Sequence, residues 1–125
     1  MSTTPQVKLA HGNPLMVDYT PEAAVNAGTV VVIGDIPFVS HNAIAADELG
    51  ALAAGGGVYD GTADGALDPG ERVFWDDTNN KFSATAGANK SFGFVVPDSE
   101  ADEDGDTVRV VHSPGIALAG AGSGS

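Results

Sequence analysis

Cysteine is absent from this chain, cations are scarce, and helix signals are thin. The missing cysteines exclude a disulfide scaffold and any thiolate metal site. Five Lys and Arg stand against 17 Asp and Glu, for a net charge of −12. That balance argues against nucleic acid, or an anionic membrane, as a partner held through a basic surface. No apolar run approaches the roughly 18 residues that a membrane-spanning helix needs. The opening stretch, Met1-Ser-Thr-Thr-Pro-Gln6, has neither a charged nor an apolar region of the kind a secretory signal carries, so none is expected. Apolar residues make up 42% of the 125, but 19 residues are alanine. What remains fills one small core, which predicts a single folded domain.

What is present is glycine, proline and short β-branched runs. There are 17 glycines and 7 prolines, placed mostly between apolar segments. Residues 1–13 are polar and read as an N-terminal arm. Residues 115–125 are a Gly/Ser-rich tail of small side chains, which bury too little surface to offset the entropy of ordering them. The folded body is then residues 14–114. Within it, Val30–Ile33, Ile36–Val39, Arg72–Trp75, Lys81–Ala84, Phe92–Val96 and Thr107–His112 read as strands bounded by turn residues. Ala43–Ala54 is open between a helix and an extended segment feeding a strand over Leu49–Tyr59. Thr20 and Pro21 could start one helical turn. Val25-x-x-Gly28-x-x-Val31 recurs as Leu67-x-x-Gly70-x-x-Val73, and Ile36–Val39 resembles Phe92–Val95. The second copy carries an additional hairpin, Thr78–Lys90. The expected fold is all-β: a small barrel or sandwich of about eight short strands, with the repeat allowing two similar β-modules.

Little of this carries chemistry. Ser40-His41 and His112-Ser113 are neighbours in sequence, which does not bring a hydroxyl to an imidazole, and no nucleophile elbow is present. His11, His41 and His112 are far apart and lack zinc-ligand spacing. Gly55–Gly57 lacks the Lys-Ser/Thr of a phosphate loop. The loop Asp98–Asp106 holds six carboxylates in nine residues. Glu100, Asp102, Asp104 and Asp106 form a partial calcium-loop pattern, whose twelfth position is Val111 instead of Glu. The same loop also reads as a solvated turn that discourages edge pairing. No cofactor is implied. Phe74-Trp75 lies mid-strand, so one ring faces inward and the other outward, available to another chain.

The segment Gly70-x-x-Val73-Phe74-Trp75-Asp76, followed by Lys81-Phe82, Ala88-Asn89-Lys90, Gly93, Val95 and a last Val108-x-Val110 strand, resembles the small capsid cement (decoration) proteins of tailed phages. These are also known as an uncharacterised-domain family encoded beside the major capsid gene. Gly28, Val31, Gly34, Asp35 and Val39 fit upstream, so the resemblance covers about residues 14–112. It implies a structural virion protein and no enzyme. Such a protein is made in the host cytoplasm and sits on the outer surface of the expanded capsid, where major capsid subunits meet. It works as a homotrimer, with neither nucleic acid nor membrane as partner. On that reading residues 2–11 form a docking arm, with Val7, Lys8, Leu9 and His11 as its contacts. Phe74, Trp75, Arg72 and Lys81 are further interface candidates. The alternative is a carbohydrate- or cell-surface-binding β-module, displayed on a virion or secreted, which would need an exposed aromatic pair.

Overall fold

A computed structural model describes residues 5–114. Among these residues ten strands run in the order β1 (Val7–Gly12), β2 (Met16–Tyr19), β3 (Val30–Ile33), β4 (Ile36–Ser40), β5 (Gly50–Ala53), β6 (Gly57–Asp64), β7 (Arg72–Asp76), β8 (Lys81–Ser83), β9 (Lys90–Val95) and β10 (Thr107–His112). There is no helix among the described residues. The ambiguous Ala43–Ala54 segment is not helical: it turns at Ala46–Asp47, with Asp47 at φ 64°, and then runs into β5, and no helical turn forms at Pro21. The strand expected over Leu49–Tyr59 is split in two at Gly55 and Gly56. Both have φ values in the left-handed half of the map, 154° and 94°, which interrupts the ladder.

The strands form a four-stranded sheet, β2-β5-β4-β3, and a six-stranded sheet, β1-β6-β10-β9-β7-β8. A short parallel pairing of β6 with β8 (Ala63 to Phe82, Asp64 to Ser83) closes β6, β10, β9, β7 and β8 into a ring. The outer edge of β6 is thus shared: β1 pairs antiparallel along Gly57–Gly61, and β8 takes the end.

The two halves repeat one topology. Order β2-β5-β4-β3 maps onto β6-β10-β9-β7 with the same register, except that a bulge between Val73 and Phe74 shifts the β7–β9 pairing by one residue where β3–β4 runs on unbroken. Tyr19 faces Gly50 as Gly61 faces Val108, and Val30 faces Val39 as Arg72 faces Phe94. Loop hydrogen bonds repeat too. Gly28 N–H donates to Ser40 O at 2.7 Å, and Gly70 N–H to Val95 O at 2.9 Å. The bridge Val25–Ile44 corresponds to Leu67–Ala101. These bonds equate Ser40 with Val95, so Phe38–Val39 aligns with Gly93–Phe94, one residue away from the match suggested by side-chain type. Backbone register decides this, since a slip of one residue reverses the faces of a strand.

The Trp-Asp…Lys-Phe pattern is the frame of the β7–β8 hairpin. Trp75 and Phe82 sit opposite each other with ring centroids 5.3 Å apart, edge to face. Asp76 faces Lys81 and closes the turn: its carboxylate accepts from Thr78 N–H at 3.0 Å, Asn79 N–H at 3.2 Å and Asn79 Nδ2 at 2.8 Å. The Asn79 side-chain bond, first among these, holds the Asp76 carboxyl below its usual pKa. Asn80, at φ 58°, completes the reversal. Phe92 lies 4.8 Å from Phe82 and 4.5 Å from His112, extending this aromatic cluster through the barrel. Val30, Val39 and Ala53 of the smaller sheet belong to the same buried cluster as Trp75, Phe82 and Val110, so the two halves share one core.

Candidate functional site

The segment read as an arm is, over Val7–Gly12, an edge strand of the larger sheet. This corrects the placement of residues 7–12 outside the core. Val7 is buried, and the strand pairs with β6 through Lys8–Asp60 and Leu9–Tyr59. Polar sequence hid this because an edge strand needs only one buried anchor here; Lys8, Leu9 and His11 remain exposed. A register shift between Leu9 and His11 bends the strand. Residues 1–4 and 115–125, including the outermost arm and the Gly/Ser-rich tail, lie outside the described residues.

Just before β1, Gln6 ties the two halves together. Gln6 and Val7 N–H groups donate to Gly28 O at 2.9 and 3.1 Å, and the Gln6 Oε1 accepts from Val30 N–H at 2.8 Å. Gly28, at φ 77°, is required for this approach, because a Cβ there would meet Pro5 Cβ at 2.5 Å. Between this strap and the smaller sheet lies a mainly apolar cleft of about 530 Å³, lined by Val7, Leu9, Ala27, Val39, His41 and Tyr59 among others.

His41 Nε2 and Tyr59 Oη are 2.6 Å apart in that cleft. Burial lowers the pKa of His41 and raises that of Tyr59, so both are neutral near pH 7. A phenol pushed upward is a poorer nucleophile, the reverse of activation. Ser40 Oγ donates to Asn26 O at 2.6 Å and accepts from Thr29 N–H at 3.1 Å. It is therefore committed to its turn. His112 is fully buried and donates from Nε2 to Pro37 O at 2.7 Å. Neither Ser-His neighbour pair forms a nucleophile and base. The cleft is lined mainly by apolar surface.

The chain matches the phage cement protein family over residues 10–112. It belongs to that family. No curated protein and no solved structure matches it. Membership makes this cement protein a structural, capsid-associated virion component, and the matched stretch takes in both repeated halves.

The remaining expected contacts of the cement protein divide sharply. Trp75 is fully buried in the barrel, which corrects its reading as an interface residue; its indole N–H donates to Asp77 Oδ1 at 3.1 Å. Phe74 is half-buried and Arg72 exposed on the same strand. Lys81 pairs with Asp104 at 2.9 Å, Lys90 with Asp35 at 3.3 Å, and Arg109 with Asp60 in a two-pronged contact at 2.8 and 3.1 Å. Lys8 and Arg72 are the cations with no ion pair among the described residues. Glu100, Asp102, Asp104 and Asp106 are not gathered into a cation site. Asp106 Oδ2 accepts from Asp102 and Glu103 N–H at 3.0 and 3.2 Å, and Asp104 faces Lys81. Sequence reasoning weighed His41 only beside Ser40 and as a zinc ligand, and missed Gln6, Tyr59 and the His41–Tyr59 pairing. No local pattern marks them, since 24 residues separate Gln6 from Val30 and 18 separate His41 from Tyr59.

Proposed function

We propose that this cement protein binds the outside of the expanded phage capsid, where major capsid subunits meet, and stabilises the shell without catalysing a reaction. The family match across both halves carries the reading. The working form is a homotrimer, and the exposed side chains of β1, Lys8, Leu9 and His11, line the docking strip. Val7 serves it by anchoring the strand. Repetition at many equivalent sites makes modest affinity per contact sufficient. A body of charge −12 keeps the free protein soluble and makes its unpaired cations, Lys8 and Arg72, the points where an acidic capsid surface is recognised. The carbohydrate-binding alternative needs an exposed aromatic pair, and burial of Trp75 removes half of it.

The test is co-sedimentation of purified protein with expanded capsids and with unexpanded procapsids of its phage, with copies counted. Saturable binding to expanded shells alone, in multiples of three per junction, is the expected result. Absence of binding to both shells at matched salt would overturn the proposal.

A further inference from the structure

The repeat exposes an asymmetry. In the second half the outer edge of β6 is covered by β1, whereas its counterpart in the first half, β2, is an uncovered sheet edge among the described residues. Backbone phase shows which groups are left over. Leu15 N–H donates to Gly55 O at 3.0 Å and Ala54 N–H to Leu15 O at 2.8 Å, so Leu15, Val17 and Tyr19 present their backbone groups to β5. Alternation turns those of Met16 and Asp18 outward. Their equivalents by register, Val58 and Asp60, face His11 and Lys8 of β1.

Charge is unmatched at the same place. Asp60 is held by Arg109 and lies opposite Lys8. In the first half Asp18 stands where Asp60 does, but the residue in the Arg109 position is Ala51, and Asp18 has no ion-pair partner among the described residues. Exposed apolar surface flanks it: Leu15 is 69% and Met16 40% exposed. The other edge of this sheet, β3, is already partly closed, because Gln6 takes up Val30 N–H.

We propose that β2 accepts an extended antiparallel segment of a capsid subunit, carrying Lys or Arg opposite Asp18 and an apolar residue beside Met16. This rests on the capsid-binding reading above and names a docking edge for it. Backbone hydrogen bonds supply attachment, and the cation–Asp18 pair sets register. A second copy of this chain is a poor occupant of this edge, since its β2 offers no cation to Asp18 and its β1 is committed to its own β6.

Amide hydrogen exchange of the full chain, free and bound to purified expanded shells, tests this. On shells the Met16 and Asp18 amides are expected to exchange at least about tenfold more slowly, while Val17, already bonded to β5, is unchanged. Asp18→Lys is expected to weaken shell binding about tenfold at low salt with an unaltered melting temperature, the position being exposed. Bound protein with unprotected Met16 and Asp18 amides overturns the β2 assignment and leaves capsid binding standing. Failure of the unaltered protein to bind shells overturns both. Protection that rises with protein concentration in the absence of shells makes a second copy the occupant and also overturns the proposal.

Discussion

His112 shows how far a single residue can depart from its sequence reading. Next to Ser113 it looked like a strand-end histidine, yet it is sealed between Tyr59 and Phe92 with Nδ1 lacking any hydrogen-bond partner. Burial, the larger effect, outweighs the Pro37 bond and takes its pKa down from 6.5 to about 4. The unfolded chain therefore binds a proton in a range where the folded chain does not. Stability is complete above pH 6.5 and falls as the pH drops toward 4, by about 3 kcal/mol in all. His41, also lowered by burial, acts in the same direction. Thermal melts between pH 7.5 and 4 should show this loss, and His112→Phe should flatten it. Asp76, whose pKa is depressed, adds its own loss only below its unfolded value of 3.8. A second residue-scale test is Gly93. A Cβ there would run into the Val111 carbonyl, a backbone clash that no rotamer relieves. Gly93→Ala should cost about 3 kcal/mol or more by denaturant unfolding.

At the scale of elements, β1 is the instructive case. A polar run with one buried valine reads as an arm, and only pairing with the distant β6, as of Val7 with Gly61, makes it a strand. Val7→Ala should lower stability by about 2 kcal/mol, as loss of two buried methyl-sized groups predicts, whereas Lys8→Glu should leave it nearly unchanged. Denaturant unfolding separates these outcomes, and equal effects at the two positions would mean β1 is not part of the core. The β7–β8 hairpin is the opposite case. Its turn chemistry, Asp76 with Asn79 and Asn80, and its Trp75–Phe82 pair are local, and so the motif was readable directly from sequence. The strands from Val30 onward that were legible are those with β-branched or aromatic runs bounded by turn residues. β5 and β6 were harder, since alanine and glycine give no period to follow, and β2 is only four residues long.

For the whole molecule, one shared core joins two repeated halves, so unfolding should be a single transition by fluorescence and circular dichroism alike, not two. The charge of −12 makes the compact state repel itself, so raising salt from about 20 to 200 mM should raise the melting temperature by a few degrees, as the screening length shrinks. The all-β class, the absence of disulfides, the acidic surface and the outline of the repeat were legible in the sequence, because composition, turn residues and short-range spacing carry that information, and the family was legible through the resemblance of its Trp-Asp…Lys-Phe segment. That β1 is part of the sheet, that Trp75 faces the core and, among the described residues, which cations stay unpaired and that β2 has an open edge emerged only from the folded chain. Those outcomes depend on which distant backbones meet and in what register, and a one-residue slip leaves composition and local pattern untouched while exchanging every inward side chain for an outward one.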